Sequence, residues 1–582
     1  MKTTSIFKLA VAALFLTGCT SDIHLFQEQV YFKSFTYSGN DKELENNKPG
    51  NGEMYSVILQ GAYSDASICR KGNDYYMITA TYSFYPGIAV LHSTDLVNWR
   101  QISYALSTER QCLNTSLKTE QGIFPSTIRY DEKADKFYIT GTLVGAGGHF
   151  VITADDPAGQ WSDPQWLYGI GGIHPALFFD TDGKAYLLNV GSPDYVPPYP
   201  DYKAVWIQSF NTETMKTEGA RQIILAGGDG DGDVMKKKPS WLEAPHLFKI
   251  GNYYYLTASE GGRYGNGFTT CIFRSENIYG PYQRYEQNPI LTQRRLAPGR
   301  ENAVVGTGQT DLVDTPQGDW FAVFQGIRPY TPLGDYHQGR ETFMMPVKFD
   351  DGWLYIIRNG ENIPLKIKSP YGTSYKTDTA VFAQYIPHGN FTYHENFKTG
   401  ELPLQWFYLR TPVTPNPLRD PSLNEGFVMN LEMNNIRSIR HTAFVAIRQM
   451  HNFFSAETEM HFIPNAAKEF GGLAVFGGDH NNYELGVTMR DNIVSIVLQN
   501  AVYDNIIKKN DIKVQNLGEA FKGRIFLRAE HNQTGYTFQY KFNPEDTFTT
   551  LKDSVPADYL SCQKNTLTYG NVIGLYASKE EE

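Results

Sequence analysis

The sequence predicts an all-β protein, a five-bladed β-propeller followed by a β-sandwich domain. Three observations predict it. One strand–turn–strand unit recurs five times across the first two thirds of the chain. Helical periodicity is almost absent, while aromatic residues make up 14% of the chain and Gly and Pro are frequent, a composition suited to short strands joined by tight turns. In the last third the repeat stops and alternating strands such as FSAETEMHFIP, YELGVTM and GRIFLRAEHN take over. At 582 residues the chain is long enough for two such domains. Its formal net charge is −10 and no long Lys/Arg block occurs, which argues against a nucleic-acid partner, because that affinity is built from clustered cations.

Residues 1–19 read as an export signal. Lys2 and Lys8 accompany a short apolar run from Leu9 to Leu16, too short to span a bilayer. The closing LTGC resembles a bacterial lipobox, which implies cleavage before Cys19 and a lipid on its thiol. The expected location is therefore the bacterial cell envelope, on its periplasmic side or its surface, with the protein tethered by lipid. Cys69, Cys112, Cys271 and Cys562 lack the close spacing of a zinc site or redox pair, and their pairing is left open.

Residues 20–365 carry the repeat. Its copies begin DASICRKGNDYYMITA at Asp65, PSTIRYDEKADKFYITG at Pro125, HPALFFDTDGKAYLLNV at His174, APHLFKIGNYYYLTAS at Ala244 and TDLVDTPQGDWFAVFQG at Thr310. In each, a short apolar strand runs into a polar turn and an aromatic-rich strand follows at hairpin distance. Three copies add a third strand and a closing tag: AVLHSTDLVNW, FVITADDPAGQW and CIFRSENIYGPY. Five such sheets set radially leave only short, protected edges. The copies are spaced more widely than the ~40–50 residues of familiar propeller repeats, so long loops are available to build a pocket on one face. The first strand of each blade lines the axis, and Asp65, Pro125, His174, Glu243 and Gln309 open those strands at one end of it.

At these residues the chain also resembles a known family. YSDASICRKGNDYYMITATYSFYPGIAVLHSTDLVNW, GIFPSTIRY, WLEAPHLFKIGNYYYLTASEGG, NPILTQR and QGRETFMMPVKFDDGW follow one another as in the inverting glycoside hydrolases of family 43, in the β-xylosidase and α-L-arabinofuranosidase branch. The resemblance implies that Asp65 is the general base that activates water and Glu243 the general acid that protonates the leaving-group oxygen. Inverting enzymes set such carboxyls ~6.5–9.5 Å apart, to leave room for water. It also implies that Arg340 bonds substrate hydroxyls, that Phe84 and Phe124 wall the sugar pocket, and that Glu260 is a strand-end carboxylate on the substrate side. No cofactor is required.

Two departures stand out. The family opens its third blade with an aspartate whose charge keeps the neighbouring acid protonated, by like-charge repulsion. Here His174 stands in its place; neutral imidazole supplies only a hydrogen bond, and imidazolium would favour the ionised acid. The family also holds a central metal ion, often calcium, through a histidine in TGHADL. This chain reads TGQTDL, and Gln309 in that position argues against the metal. A histidine gained at 174 and one lost at 309 suggest a rebuilt axial network.

Residues 366–388 read as a linker, and residues 389–582 resemble the concanavalin-like β-sandwich that accompanies many family members. Relatives usually continue past GLYAS with a further strand, so a truncated sheet with an exposed neighbour is expected. The functional expectation is an exo-acting inverting glycosidase that removes terminal arabinofuranosyl or xylosyl residues from plant hemicellulose or its oligosaccharides. The alternative is a lipid-anchored glycan-binding protein on the same scaffold, its catalysis impaired at His174.

Overall fold

The computed structural model describes residues 28–580, apart from 113–115, 230–240, 262–266, 298, 377–383, 399–401, 413–423, 505, 520, 533–534 and 566–568. The expected export signal and its expected lipobox cysteine, Cys19, lie outside the described residues. Five antiparallel sheets form the propeller. Their inner strands are Ser67–Lys71, Gly122–Asp131, Ile173–Phe179, Glu243–Ile250 and Val305–Asp314, each packed against the next around the axis. Apolar residues on the blade faces fill the space between neighbouring sheets; Ile78, Ile128, Ile139 and Ile152, for example, pack blade one on blade two.

The ring closes through the N-terminus. The outermost strand of blade five is Val57–Leu59, which precedes blade one in sequence and pairs with Glu341–Pro346. A further strand, Gln29–Gly39, was expected in the propeller; it lies instead in the sandwich, paired with Thr392–Glu395, Phe427–Asn430 and Phe454–His461. The physical reason is its apolar face: Val30, Phe32, Phe35 and Tyr37 are buried in the sandwich core with Trp406, Phe454 and Leu527. The expected linker is also partly structured. Lys366–Lys368 pairs with Glu53–Tyr55, and Ile386 is buried against Trp99 in the blade-one core.

The sandwich packs a seven-stranded sheet on an eight-stranded one. GLYAS belongs to the strand Val572–Lys579, which is paired on both sides, with Ala443–Arg448 and Glu469–Gly478. Neither neighbour is left unpaired there, contrary to the expectation of an exposed edge. The last strand of the eight is Phe84–Tyr85, contributed by the first blade and paired with Phe407–Leu409. The first blade thus contributes a strand to one sheet of the sandwich. No described helix is long and apolar enough to cross a membrane, and Cys69, Cys112, Cys271 and Cys562 are buried and form no disulfide among the described residues.

Candidate active site

One backbone device recurs where the inner strands open. Asp65, His174, Ala244 and Gln309 all have left-handed φ, between 49° and 54°. Non-glycine residues adopt this conformation at a cost of about 1–3 kcal/mol each, and it persists only where surrounding structure enforces it. In blades three, four and five it coincides with a β-bulge, where pairing slips between Ile173 and Ala176, Glu243 and His246, and Gly308 and Asp311. A bulge re-aims side chains that regular alternation would send to the blade faces. Pro125 lies at a similar slip in blade two but offers no polar side chain.

The openings of these strands bring Asp65, His174 and Glu243 within electrostatic reach of one another. His174 Nε2 lies 3.3 Å from Glu243 Oε2, and the Trp241 indole N–H donates to the same oxygen at 3.2 Å. Both of these contacts fall on Oε2. Across the site the Tyr82 hydroxyl donates to Asp65 Oδ2 at 3.1 Å and also contacts Ser64 Oγ. Asp65 Oδ1 is buried without a hydrogen-bond partner in the protein. Burial pushes the Asp65 carboxyl above its ordinary range, against the lowering influence of Arg340, His174 and the Tyr82 hydrogen bond, and Glu243 adds to the rise. These influences place Arg340 and Glu243 within electrostatic reach of Asp65.

Aromatic rings close the pocket. Phe124 meets Tyr82 edge-on at 4.8 Å, and Tyr569, from the sandwich, lies 5.9 Å from Tyr82. Tyr569 is delivered by a close approach of two glycines. A Cβ on Gly570 would sit 2.2 Å from the Gln338 carbonyl oxygen, and one on Gly339 2.4 Å from the Gly570 nitrogen. The Asn571 N–H donates to the His337 carbonyl at 2.7 Å, locking the same junction beside Arg340. The Arg340 guanidinium sits 5.9 Å from the centre of the Phe268 ring.

Two expected site residues lie elsewhere. Phe84 does not wall the pocket; it is buried between the domains with Phe407, Leu409 and Phe444, because its strand has joined the sandwich sheet. The wall position belongs to Tyr82, two residues earlier. Glu260 is fully buried in blade four, where its Oε2 accepts the Asp229 N–H at 3.0 Å. Burial pushes it to about 7, and its electrostatic partners are Asp229 and Arg294. It is not drawn to the Asp65–Glu243 cluster. Tyr82, Trp241 and Tyr569 were missed. Tyr82 carried a signal, an aromatic residue in the same YSFYPG stretch as Phe84, whereas Tyr569 carried none.

Deeper along the axis lies a second polar cluster. Asp311 takes a bidentate pair from Arg129, at 2.8 and 2.9 Å, and the Ile68 N–H at 3.1 Å. Arg129 also reaches His246 Nδ1 at 3.1 Å. Burial opposes the Asp311 charge, yet Arg129, His246 and Ser67 hold its carboxyl below the ordinary range. Burial holds His246 near 4, hence neutral at neutral pH. The donors an axial cation would need are therefore engaged by a guanidinium, an arrangement that does not fit a metal ion. Gln309 contributes its backbone N–H to Ser259 Oγ at 2.8 Å, and its Oε1 has no hydrogen-bond partner in the protein.

With this geometry in view, comparison with known proteins is direct. The Glycosyl hydrolases family 43 profile matches residues 54–354. The chain belongs to glycoside hydrolase family 43. A second profile, the β-xylosidase C-terminal concanavalin A-like domain, matches residues 394–582. A xylosidase/arabinosidase of Butyrivibrio fibrisolvens is 32% identical over 525 residues, 90% of this chain and 95% of that protein. A non-reducing end α-L-arabinofuranosidase of Bacteroides ovatus is 31% identical over 500 residues, 83% of this chain and 84% of that one. Among solved structures, a GH43_12 protein retrieved from a capybara gut metagenome superposes with a TM-score of 0.85 at 33% identity, covering 94% of this chain and 99% of that one. The family-43 assignment agrees with the five-bladed propeller and the sandwich described above.

Proposed function

We propose that this family-43 protein is an exo-acting inverting glycosidase that removes terminal arabinofuranosyl or xylosyl units from hemicellulose or its oligosaccharides. The observation that carries this reading is the convergence of Asp65, Glu243 and Arg340 in one pocket walled by Tyr82, Phe124 and Tyr569. Asp65 Oδ1 is the acceptor for the proton of an attacking water, while Tyr82 holds Oδ2. Glu243 delivers a proton to the leaving oxygen as the C–O bond breaks, and the carboxylate formed is stabilised by Trp241 and His174. The net change is one water added across one glycosidic bond, with inverted configuration. Arg340 binds the sugar hydroxyls. The names of the relatives support the arabinosyl and xylosyl classes.

One observation favours a second reading. His174 sits against the acid itself, where hydrogen bonding to the carboxylate favours its charged form and weakens it as an acid. General acid help is worth ~10²–10⁴ in rate, so the same scaffold with that help lost would act as a glycan-binding protein. Release of 4-nitrophenol from the α-L-arabinofuranoside and the β-D-xyloside separates the two. Turnover lost in Glu243→Gln on an oligosaccharide supports the enzyme, and sugar binding without turnover supports the binder. Proton NMR of the first-formed anomer tests inversion. We also propose export with a lipid on Cys19; fatty-acid labelling that disappears in Cys19→Ala is the expected result.

A further inference from the structure

A cleft of about 310 Å³ opens beside the acid, lined by Gly172, Gly191, Lys203, Trp206, Arg221 and Trp241. It adjoins the catalytic carboxyl, because Trp241 is the residue whose indole N–H holds Glu243 Oε2. Ile173, next to His174, also lines it. Glycine backbone gives the cleft its depth. A Cβ at Gly172 would stand 2.0 Å from the Val190 carbonyl oxygen.

The chemistry of the cleft is cationic. The Arg221 guanidinium stacks 4.1 Å from the centre of the Trp206 ring, and the Lys203 ammonium lies 5.2 Å from that of Trp241. Neither cation has a carboxylate partner among the described residues. In a chain with a net charge of −10, where many Lys and Arg are paired, two cations at one cleft with no carboxylate partner among the described residues concentrate positive potential there. Stacking fixes the guanidinium plane while leaving its N–H edge available, the arrangement that binds a carboxylate through two parallel hydrogen bonds. The indole of Trp241 offers an apolar face to a sugar ring.

We propose that this cleft is the leaving-group subsite and that it takes a sugar bearing a carboxylate, a uronosyl unit, with Arg221 and Lys203 as its counter-ions. The proposal rests on the reading of Glu243 as the acid and adds the substrate class beside it. The preferred substrate is then a pentosyl-decorated acidic oligosaccharide rather than a neutral one.

The test is a matched pair: an oligosaccharide with a uronosyl residue next to the cleavable pentosyl linkage, and the same compound with its carboxyl reduced to the alcohol. The expected result is a kcat/KM about 10-fold or more in favour of the acidic form at low salt, a preference that shrinks as salt is raised. Lys203→Gln and Arg221→Gln should each cut that ratio several-fold, and the double variant should bring it near one. Arg221→Glu should invert it. Equal kcat/KM for the two compounds, or a preference that survives the double variant, overturns the proposal. Binding of the same pair to Glu243→Gln by calorimetry keeps this test separate from the activity. A tenfold tighter Kd for the acidic compound sustains anion recognition even if nitrophenyl pentosides are not turned over, and equal or absent binding overturns it.

Discussion

Two stretches of the same axis, the mouth and the middle, are built from the same five strands and obey opposite rules. In the middle, Asp311 and Arg129 are fully engaged: both carboxylate oxygens accept charged or backbone donors, and the carboxyl is held below its ordinary range. At the mouth, Asp65 keeps one buried oxygen without a partner in the protein, sits in a left-handed backbone and is pushed above its ordinary range by burial. The middle uses charge to hold blades together. The mouth leaves charge underused, and strained and unsatisfied groups are costs a fold retains where chemistry is done.

The sharpest way to break the comparison is to neutralise one aspartate in each half. Asp65→Asn should lower kcat by about 10²–10⁴ while leaving the denaturation midpoint equal or higher, since a buried carboxylate is replaced by a neutral amide. Asp311→Asn should do the reverse. It strands a buried Arg129, at about 3–5 kcal/mol of stability, read by urea unfolding. An Asp65 variant that destabilised as strongly would erase the distinction.

Smaller effects sharpen it. Gly570→Ala forces a methyl against the Gln338 carbonyl and should displace Tyr569, at about 1–3 kcal/mol, seen as a raised KM for oligosaccharides. His174→Asp restores a like charge beside Glu243; it should raise kcat about tenfold and move the alkaline limb of the pH profile upward. The smallest effect concerns the acid limb. Because burial raises the Asp65 pKa, activity should fall on acidification at a pH above the ordinary aspartate range. Arg340 opposes that rise, so Arg340→Gln should shift the limb further upward, alongside its loss of affinity.

Much of this was legible in the sequence, for identifiable reasons. The propeller repeats locally, so each hairpin announces itself within some twenty residues, and the acid and base sit at equivalent points of that repeat. Arg129, His246 and Asp311 were legible in principle as titratable residues inside apolar inner strands. Phe84 was misplaced because the pairing that buries it, with Phe407–Leu409, joins strands more than three hundred residues apart and leaves no local trace. Tyr569 was invisible for the same reason, as was the exchange of Gln29–Gly39 into the sandwich. Long-range pairing is decided by which apolar faces meet, and no short window of sequence records it.

That exchanged strand governs how the molecule can be made. The Thr458 hydroxyl donates to the carbonyl of Ser34, 424 residues earlier, and Gln29–Gly39 pairs with sandwich strands that lie between Thr392 and His461. The first strand to emerge must therefore wait until His461 has been made before both its edges are satisfied, well after the last propeller strand. A ribosome-stalled fragment lacking the last third should stay protease-sensitive at residues 29–39.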